Sequence, residues 1–141
     1  MAEMDETWIE RWRDDVCRGT DAATAAEMAG LHSDALLAFH RVVAEVRLPD
    51  AGIGYWIHRP PLPGEDPGHP RRLSDGRPVV VFGSDGGGAL FALPGGADGP
   101  VLRLSGGALL GETYDADCAV EVAADLRAFL TFLRREAIGG P

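Results

Sequence analysis

The chain contains 141 residues, of which 45% are hydrophobic and 25% are charged, and its formal net charge is −9. This length predicts a single domain over residues 1–141, and the negative charge disfavours direct binding to nucleic acid or to an anionic membrane surface. All 13 basic residues are arginine, which excludes a Walker A lysine, a Schiff-base lysine and a Ser-Lys dyad.

The sequence has no recognisable targeting signal, and this absence and the cysteine usage both predict a cytoplasmic protein. No apolar run approaches the roughly 20 residues that span a bilayer, and the N-terminal stretch MAEMDETWIERW lacks the features of a secretory signal. The two cysteines, Cys17 and Cys118, have no metal-type spacing and are expected to be reduced. The sequence leaves open whether the fold brings them together.

The first predicted element is a helix over residues 5–17. Four apolar side chains recur on one face of it, at Trp8, Ile9, Trp12 and Val16. Two kinds of N-terminal cap fit the sequence, either a capping box formed by Thr7 and Glu10 or an N-cap at Asp5.

Two further helices are predicted before residue 49. One covers about residues 21–29, and the next begins after Ser33, which is a typical N-cap residue. The third helix carries apolar side chains at three- and four-residue steps, at Leu36, Phe39, Val43 and Val46. It is predicted to end near Leu48, because Pro49 disfavours helical geometry in the residue before it.

The apolar pattern then changes to the alternation of a strand, over residues 53–58. The proline-rich residues 59–72 predict a surface loop. Short apolar runs follow at residues 79–82, 89–93, 101–104 and 109–113. Because the connections between these runs are short, we predict antiparallel hairpins rather than parallel crossovers.

A helix over about residues 123–137 closes the chain. Its apolar positions follow the i, i+3, i+4, i+7, i+11 series of one helix face, at Leu126, Phe129, Leu130, Leu133 and Ala137. Asp125 near its start and the pair Arg134 and Arg135 near its end both suit the helix dipole.

The stretch VFGSDGGGALF, residues 81–91, is rich enough in glycine to suggest a phosphate loop. Such a loop requires a helix after the glycines, whereas only five residues separate these glycines from Pro94, and neither GxGxxG nor GxxxxGK is present. A GxSxG nucleophile elbow is excluded because Phe82 occupies the first glycine position. Asp85 and Gly86 between two apolar runs instead predict a hairpin turn.

No pattern in the sequence predicts a catalytic, metal or cofactor site. The four histidines have neither i, i+4 spacing nor a carboxylate motif, at His32, His40, His58 and His69. His40 is expected at the boundary of the core. Ser84 and Asp85 have no histidine placed by the sequence to complete a triad, so we predict that the chain is not an enzyme.

One acidic segment is a candidate binding surface. Five acids and no basic residue lie between Arg103 and Arg127, at Glu112, Asp115, Asp117, Glu121 and Asp125. An exposed aromatic side chain at Tyr114 would suit a basic protein partner, and the alternative is a solvated loop. The predicted partner-binding residues are Glu112, Tyr114, Asp115, Asp117 and Glu121, with Asp85 as an outlying member.

The second half of the sequence resembles the SUKH superfamily. The match runs from about Pro78 to Ala137, through VVVFGSDGGGALFAL, GPVLRL, the acidic connection and VAADLRAFLTFLRREA. In the first half, a helix leading to RLP and a strand at GYWIH is similar to the family order. The resemblance implies an α+β fold, with a mainly antiparallel β-sheet and with N-terminal helices and a C-terminal helix packed against it. It gives the turn glycines a structural role, at Gly83, Gly86, Gly87 and Gly88.

The resemblance also implies function by protein binding, because the family carries no shared catalytic set. Family members of the immunity type neutralise a cognate toxin, often a nuclease or deaminase, by direct association, and other members act as adaptors. We therefore expect an immunity protein that blocks a basic polymorphic toxin domain through its acidic surface. The alternatives are a non-toxin adaptor and a small-molecule-binding domain, which would need a deep pocket with converging polar groups.

Overall fold

A computed structural model describes residues 4–17, 21–62, 70–95, 98–105, 109–110 and 113–139. The helices are α1 (Glu6–Val16), α2 (Ala25–Met28), α3 (Asp34–His40) and α4 (Leu126–Gly139). The strands are β1 (Val46–Leu48), β2 (Tyr55–Ile57), β3 (Arg72–Leu73), β4 (Val79–Asp85), β5 (Leu90–Pro94), β6 (Val101–Leu104), β7 (Leu109–Leu110), β8 (Thr113–Tyr114) and β9 (Ala119–Ala123). A short 3-10 turn, Ala116–Cys118, precedes β9. None of the helices in these ranges is long and apolar enough to cross a membrane.

Six strands form one antiparallel sheet in the order β1-β2-β4-β5-β6-β9. A smaller sheet has the order β3-β8-β7, in which β3 and β8 run parallel and β7 and β8 run antiparallel. The predicted α+β fold is therefore confirmed, with a mainly antiparallel sheet, N-terminal helices and a C-terminal helix.

The main core lies between the helices and one face of the six-stranded sheet. Phe91 and Leu93 of β5 pack there against α1, α3 and α4, whereas Ala92 between them belongs to a second cluster on the opposite face. This is the alternation that a strand imposes on successive side chains. The second cluster contains Leu73 and Tyr114, so the small sheet covers part of that opposite face.

Helices α1 and α4 are joined by a hydrogen bond as well as by apolar packing. The indole Nε1 of Trp12 donates to the carbonyl oxygen of Leu130 at 2.7 Å, and both residues are buried. At the start of α1, the side chain of Asp5 accepts a hydrogen bond from the backbone N–H of Trp8. Asp5 is therefore the N-cap, and the alternative capping box at Thr7 does not form.

The prediction for the third helix was wrong at its C-terminal end. Helix α3 ends at His40, and residues 46–48 form strand β1, which pairs with β2. The turn between them is held by backbone hydrogen bonds, including one from Ala44 N–H to the Asp21 carbonyl at 2.6 Å. Val43 and Val46 are nevertheless buried, because the apolar positions that fit a helix also fit this turn and strand.

The Gly-rich stretch forms the predicted hairpin turn between β4 and β5. The backbone N–H of Asp85 donates to the carbonyl oxygen of Ala89 at 3.0 Å, and Gly88 N–H donates back to the Asp85 carbonyl at 3.2 Å. Gly88 has a φ of +88°, a conformation that glycine adopts without a steric penalty.

Candidate functional site

The acidic segment is folded rather than a solvated loop. It runs from β8 through the 3-10 turn into β9, and β9 pairs with β6. Glu112 lies outside the described residues. The sequence analysis missed strand β9 because its valines alternate with alanine and glutamate, which gives only a weak apolar pattern.

Tyr114 does not form the exposed aromatic contact that was expected of it. Its side chain is 7% exposed and packs in the second core cluster with Leu73 and Leu104. The pairing of β8 with β3 places Tyr114 directly beside Leu73, so its ring supports the small sheet. The expectation of an exposed aromatic at this position was therefore wrong.

The acids of the segment differ in what they contact. The carboxylate of Asp115 caps the 3-10 turn by accepting a hydrogen bond from the backbone N–H of Asp117 at 3.0 Å. Asp117 and Glu121 are exposed, and within the described part of the chain neither forms an ion pair. These two carboxylates are therefore the part of the predicted set that remains available to a partner.

Strand β9 lies at one edge of the six-stranded sheet. Among the described strands only β6 pairs with it, so within the described residues its outer backbone edge has no strand partner. Val120 and Val122 on this strand are 56% and 45% exposed, with Glu121 between them. An open edge with exposed valines is a template for pairing with another chain.

Asp85 is part of the core rather than of an exposed surface. Its side chain is 1% exposed, and one of its oxygens accepts hydrogen bonds from the backbone N–H groups of Gly87 and Ala89 at 2.9 and 3.0 Å. The other oxygen lies 2.9 Å from Nη2 and 3.0 Å from Nε of Arg103. A partner therefore cannot reach this carboxylate in the folded protein, so the prediction of Asp85 as an outlying binding residue was wrong. Asp85 stabilises the hairpin turn instead.

The fold creates a serine–histidine contact that the sequence did not predict. Trp56 pairs with Ser84 across β2 and β4, and His58 two residues later places Nε2 2.8 Å from the Ser84 Oγ. A nucleophilic serine also requires a group that orients the imidazole and donors for an oxyanion. Asp85 does not orient His58, because its carboxylate binds Arg103. Only knowledge of the strand register could have revealed this pair.

The charged side chains of Glu27 and Arg59 lie near His40, on the helical side of the molecule. His40 is 1% exposed, so the expected boundary position was wrong, and its Nδ1 donates to the carbonyl oxygen of Val43 at 2.9 Å. Burial lowers the pKa of His40 from 6.5 to about 4. The Glu27 carboxylate is held by the Arg59 guanidinium at 2.6 Å and by the Thr24 backbone N–H, and these contacts lower the pKa of Glu27 to about 2.

These pKa values predict two windows of acid sensitivity. Between pH 6.5 and 4 the unfolded chain binds a proton at His40 that the native state does not, so stability falls by about 3 kcal/mol as the pH falls through this window. Between pH 4.5 and 2 the contribution of ionised Glu27 is lost in turn. Urea unfolding at a series of pH values measures both effects.

One substitution and its control assign the His40 window. H40Q should flatten the stability profile between pH 6.5 and 4.5, and H32Q, at an exposed histidine, should leave the profile unchanged. An equally steep profile in H40Q and in the parent protein would show that His40 is not the titrating group.

Of the predicted binding residues, Asp117 and Glu121 thus lie exposed at or near the edge strand β9. Tyr114 and Asp85 are buried and stabilise the fold instead. The two cysteines are half-buried and form no disulfide with each other. Within the described ranges, no group of three or more His, Cys, Asp or Glu side chains could hold a metal ion.

Comparisons with protein-family models, with curated proteins and with solved structures find no match to this chain.

Proposed function

We propose that this chain is a cytoplasmic protein-binding module of the SUKH immunity type, which neutralises a basic toxin domain by direct association. The observation that carries this proposal is the edge strand β9, where the exposed carboxylate of Glu121 lies between two exposed valines and Asp117 lies just before the strand. In this proposal the chain acts by binding and has no catalytic role.

Three physical features of this edge suit such a partner. Its open backbone groups can pair with a strand or loop of another protein. Its valines provide apolar area, which replaces the contact that had been assigned to Tyr114. Its carboxylates attract a basic surface over the range of the screening length and thereby accelerate encounter. A nuclease active site is basic because it binds phosphates, so it fits this description.

The first test is to identify the partner. The tagged protein is used to capture partners from its native cytoplasm at low and at high salt, and captured proteins are identified by mass spectrometry. A single basic toxin domain that is released as salt rises is the expected result. A housekeeping partner would indicate the adaptor function instead, and capture of no partner at either salt concentration would contradict the proposal.

The double substitution D117R/E121R tests the surface itself. We expect it to slow association with the captured toxin domain by about tenfold at low salt and to flatten the salt dependence, because it reverses the charges that steer encounter. Association rates from surface plasmon resonance at several salt concentrations measure this effect. Asp115 is left intact because it caps the 3-10 turn.

The matched control is E10R/D50R, which makes the same change in net charge at two other exposed positions, one on α1 and one in the loop after β1. It should retain most of the association rate. An equal loss in both double variants would mean that only the total charge matters, and the proposed surface would then be wrong.

A further inference from the structure

A cavity of about 670 Å³ lies between β4 and the turn that precedes α3. Its described lining comprises that turn, α3, part of β4 and the segments 58–62 and 70–71. Most of the lining side chains are apolar, and they include Leu31, Leu36, Val80 and Phe82. The volume falls within the range of about 300–1,000 Å³ that is typical of small-molecule sites. The cavity is therefore large enough to hold a small molecule that is mainly apolar.

Apart from His40, the basic side chains of the described lining are already paired. The guanidinium of Arg59 forms ion pairs with Glu27 at 2.6 Å and with Glu45 at 4.0 Å. Arg71 and His58 also have interaction partners. The described lining thus offers no free charge that would offset the desolvation of an ionised ligand. The occupant that suits this lining is neutral.

His40 gives the cavity a polar group of a defined kind. Its Nδ1 lies 2.9 Å from the carbonyl oxygen of Val43, and a carbonyl oxygen only accepts, so Nδ1 carries a proton. Burial lowers the pKa of His40 to about 4, so the ring is neutral near pH 7. A neutral imidazole with its proton on Nδ1 has a lone pair on Nε2. His40 therefore presents a hydrogen-bond acceptor at Nε2.

The Nε2 atom is accessible from the cavity. Within the described residues it forms no hydrogen bond, and it is not among the fully buried polar atoms there that lack a partner. It therefore retains accessible surface, although His40 as a whole is 1% exposed. Because His40 belongs to the lining, the cavity is the open space next to this atom. A hydroxyl donor there would satisfy an acceptor that is otherwise unpaired.

We propose that this cavity binds a neutral amphiphile, with an apolar body against Leu36, Val80 and Phe82 and a hydroxyl group that donates to Nε2 of His40. The apolar lining selects the body of the ligand, and the single acceptor selects a hydroxyl over an ether or a carboxylate. This site is separate from the β9 edge and does not depend on the toxin-binding proposal. It gives the chain a small-molecule ligand in addition to a protein partner.

The test uses octan-1-ol as the probe, with two molecules of similar size as controls. The first is 1-methoxyheptane, an isomer that lacks the hydroxyl donor, and the second is octanoate. Isothermal titration calorimetry of the full chain at pH 7 should show saturable binding of octan-1-ol. The ether should bind about tenfold more weakly, because the acceptor stays unpaired, and octanoate more weakly still, because its carboxylate must be desolvated. Absence of saturable octan-1-ol binding, or a control that binds equally well, would overturn the proposal.

Nuclear magnetic resonance of the parent protein, labelled with nitrogen-15, locates the contact at one atom. Long-range proton–nitrogen spectra should show His40 with its proton on Nδ1. Addition of octan-1-ol should shift the Nε2 resonance of His40, and addition of 1-methoxyheptane should leave it in place. Equal responses to both molecules, or a proton on Nε2 in the free protein, would contradict the proposed contact.

Two variants and their controls complete the test. H40F removes the acceptor but keeps a ring, so it should bind octan-1-ol and 1-methoxyheptane equally, whereas H32F, at an exposed histidine, should retain the tenfold preference. A purely structural effect would weaken both probes alike, so a preference that persists in H40F would contradict the proposal. V80W should abolish octan-1-ol binding by filling the cavity, and V122W, on β9, should not change it.

The calorimetry and the spectra of the parent protein decide the proposal even if H40F or V80W does not fold. D117R/E121R should bind octan-1-ol as the parent protein does. A variant that loses the toxin domain but keeps octan-1-ol therefore separates the two sites, so failure of one proposal can be distinguished from failure of the other.

Discussion

Substitution of Gly86 by alanine should destabilise the protein by at least about 3 kcal/mol. A Cβ atom at this position would overlap the carbonyl oxygen of Ile53, in the loop between β1 and β2. The obstacle is backbone rather than a flexible side chain, and the Gly86 N–H is bonded to the Gly54 carbonyl at 3.0 Å. The hairpin turn and this loop would therefore have to separate, with the loss of that hydrogen bond.

The neighbouring Gly87 provides the control for this prediction. A Cβ atom there would meet the Asp85 carboxylate at 3.4 Å, which is ordinary van der Waals contact. G87A should therefore change the free energy of unfolding by less than about 1 kcal/mol. Urea denaturation of both variants gives the comparison. Similar stabilities for G86A and G87A would show that the loop does not pack on the turn as described.

Removal of the buried carboxylate in D85A should cost about 3 kcal/mol, because two turn N–H groups and the Arg103 guanidinium would lose their acceptor. D85N should cost less, since its amide oxygen can still accept from Gly87 and Ala89 while the attraction to Arg103 is lost. Thermal and urea unfolding measure both changes.

The exposed pair formed by Asp75 and Arg77 is the matched control. It also joins an aspartate and an arginine, at 2.8 Å, but the two side chains are 42% and 57% exposed. D75A should therefore cost less than about 1 kcal/mol. If D85A were as mild as D75A, the Asp85 carboxylate would not be holding the hairpin turn.

The helices were predictable from sequence where a long periodic pattern was combined with clear end signals. Helix α4 has the periodic pattern, and its predicted apolar residues Leu126, Phe129, Leu130 and Leu133 are all buried. It begins at Leu126 rather than near residue 123, because residues 119–123 form β9, and it has no acidic residue in its first turn and no basic residue in its last. Ser33 caps α3 as predicted, but its hydroxyl also donates to the Asp98 carboxylate at 2.6 Å. That contact joins residues 65 positions apart, so no local pattern could have indicated it.

The short strands β1 and β9 could not be predicted because pairing, rather than propensity, determines them. Val46 fits the apolar series of the preceding helix equally well, and it becomes part of a strand because β2 is available to it. The same dependence on strand pairing explains why the sequence did not reveal that Tyr114 is buried. Whether Tyr114 is inside or outside depends on β3, which lies about 40 residues earlier in the chain and pairs with β8.

The hydrogen bond between Trp12 and Leu130 has a consequence for synthesis of the protein. The two residues are 118 positions apart, so at about 5–20 residues per second α1 leaves the ribosome roughly 6–24 s before its partner helix exists. During that interval the indole and the side chain of Ile9 have no completed core to enter. An isolated helix of 11 residues is marginal in water, so we expect the hydrogen bond of the indole and the packing of α1 on α4 to form only after the residues of α4 have been synthesised.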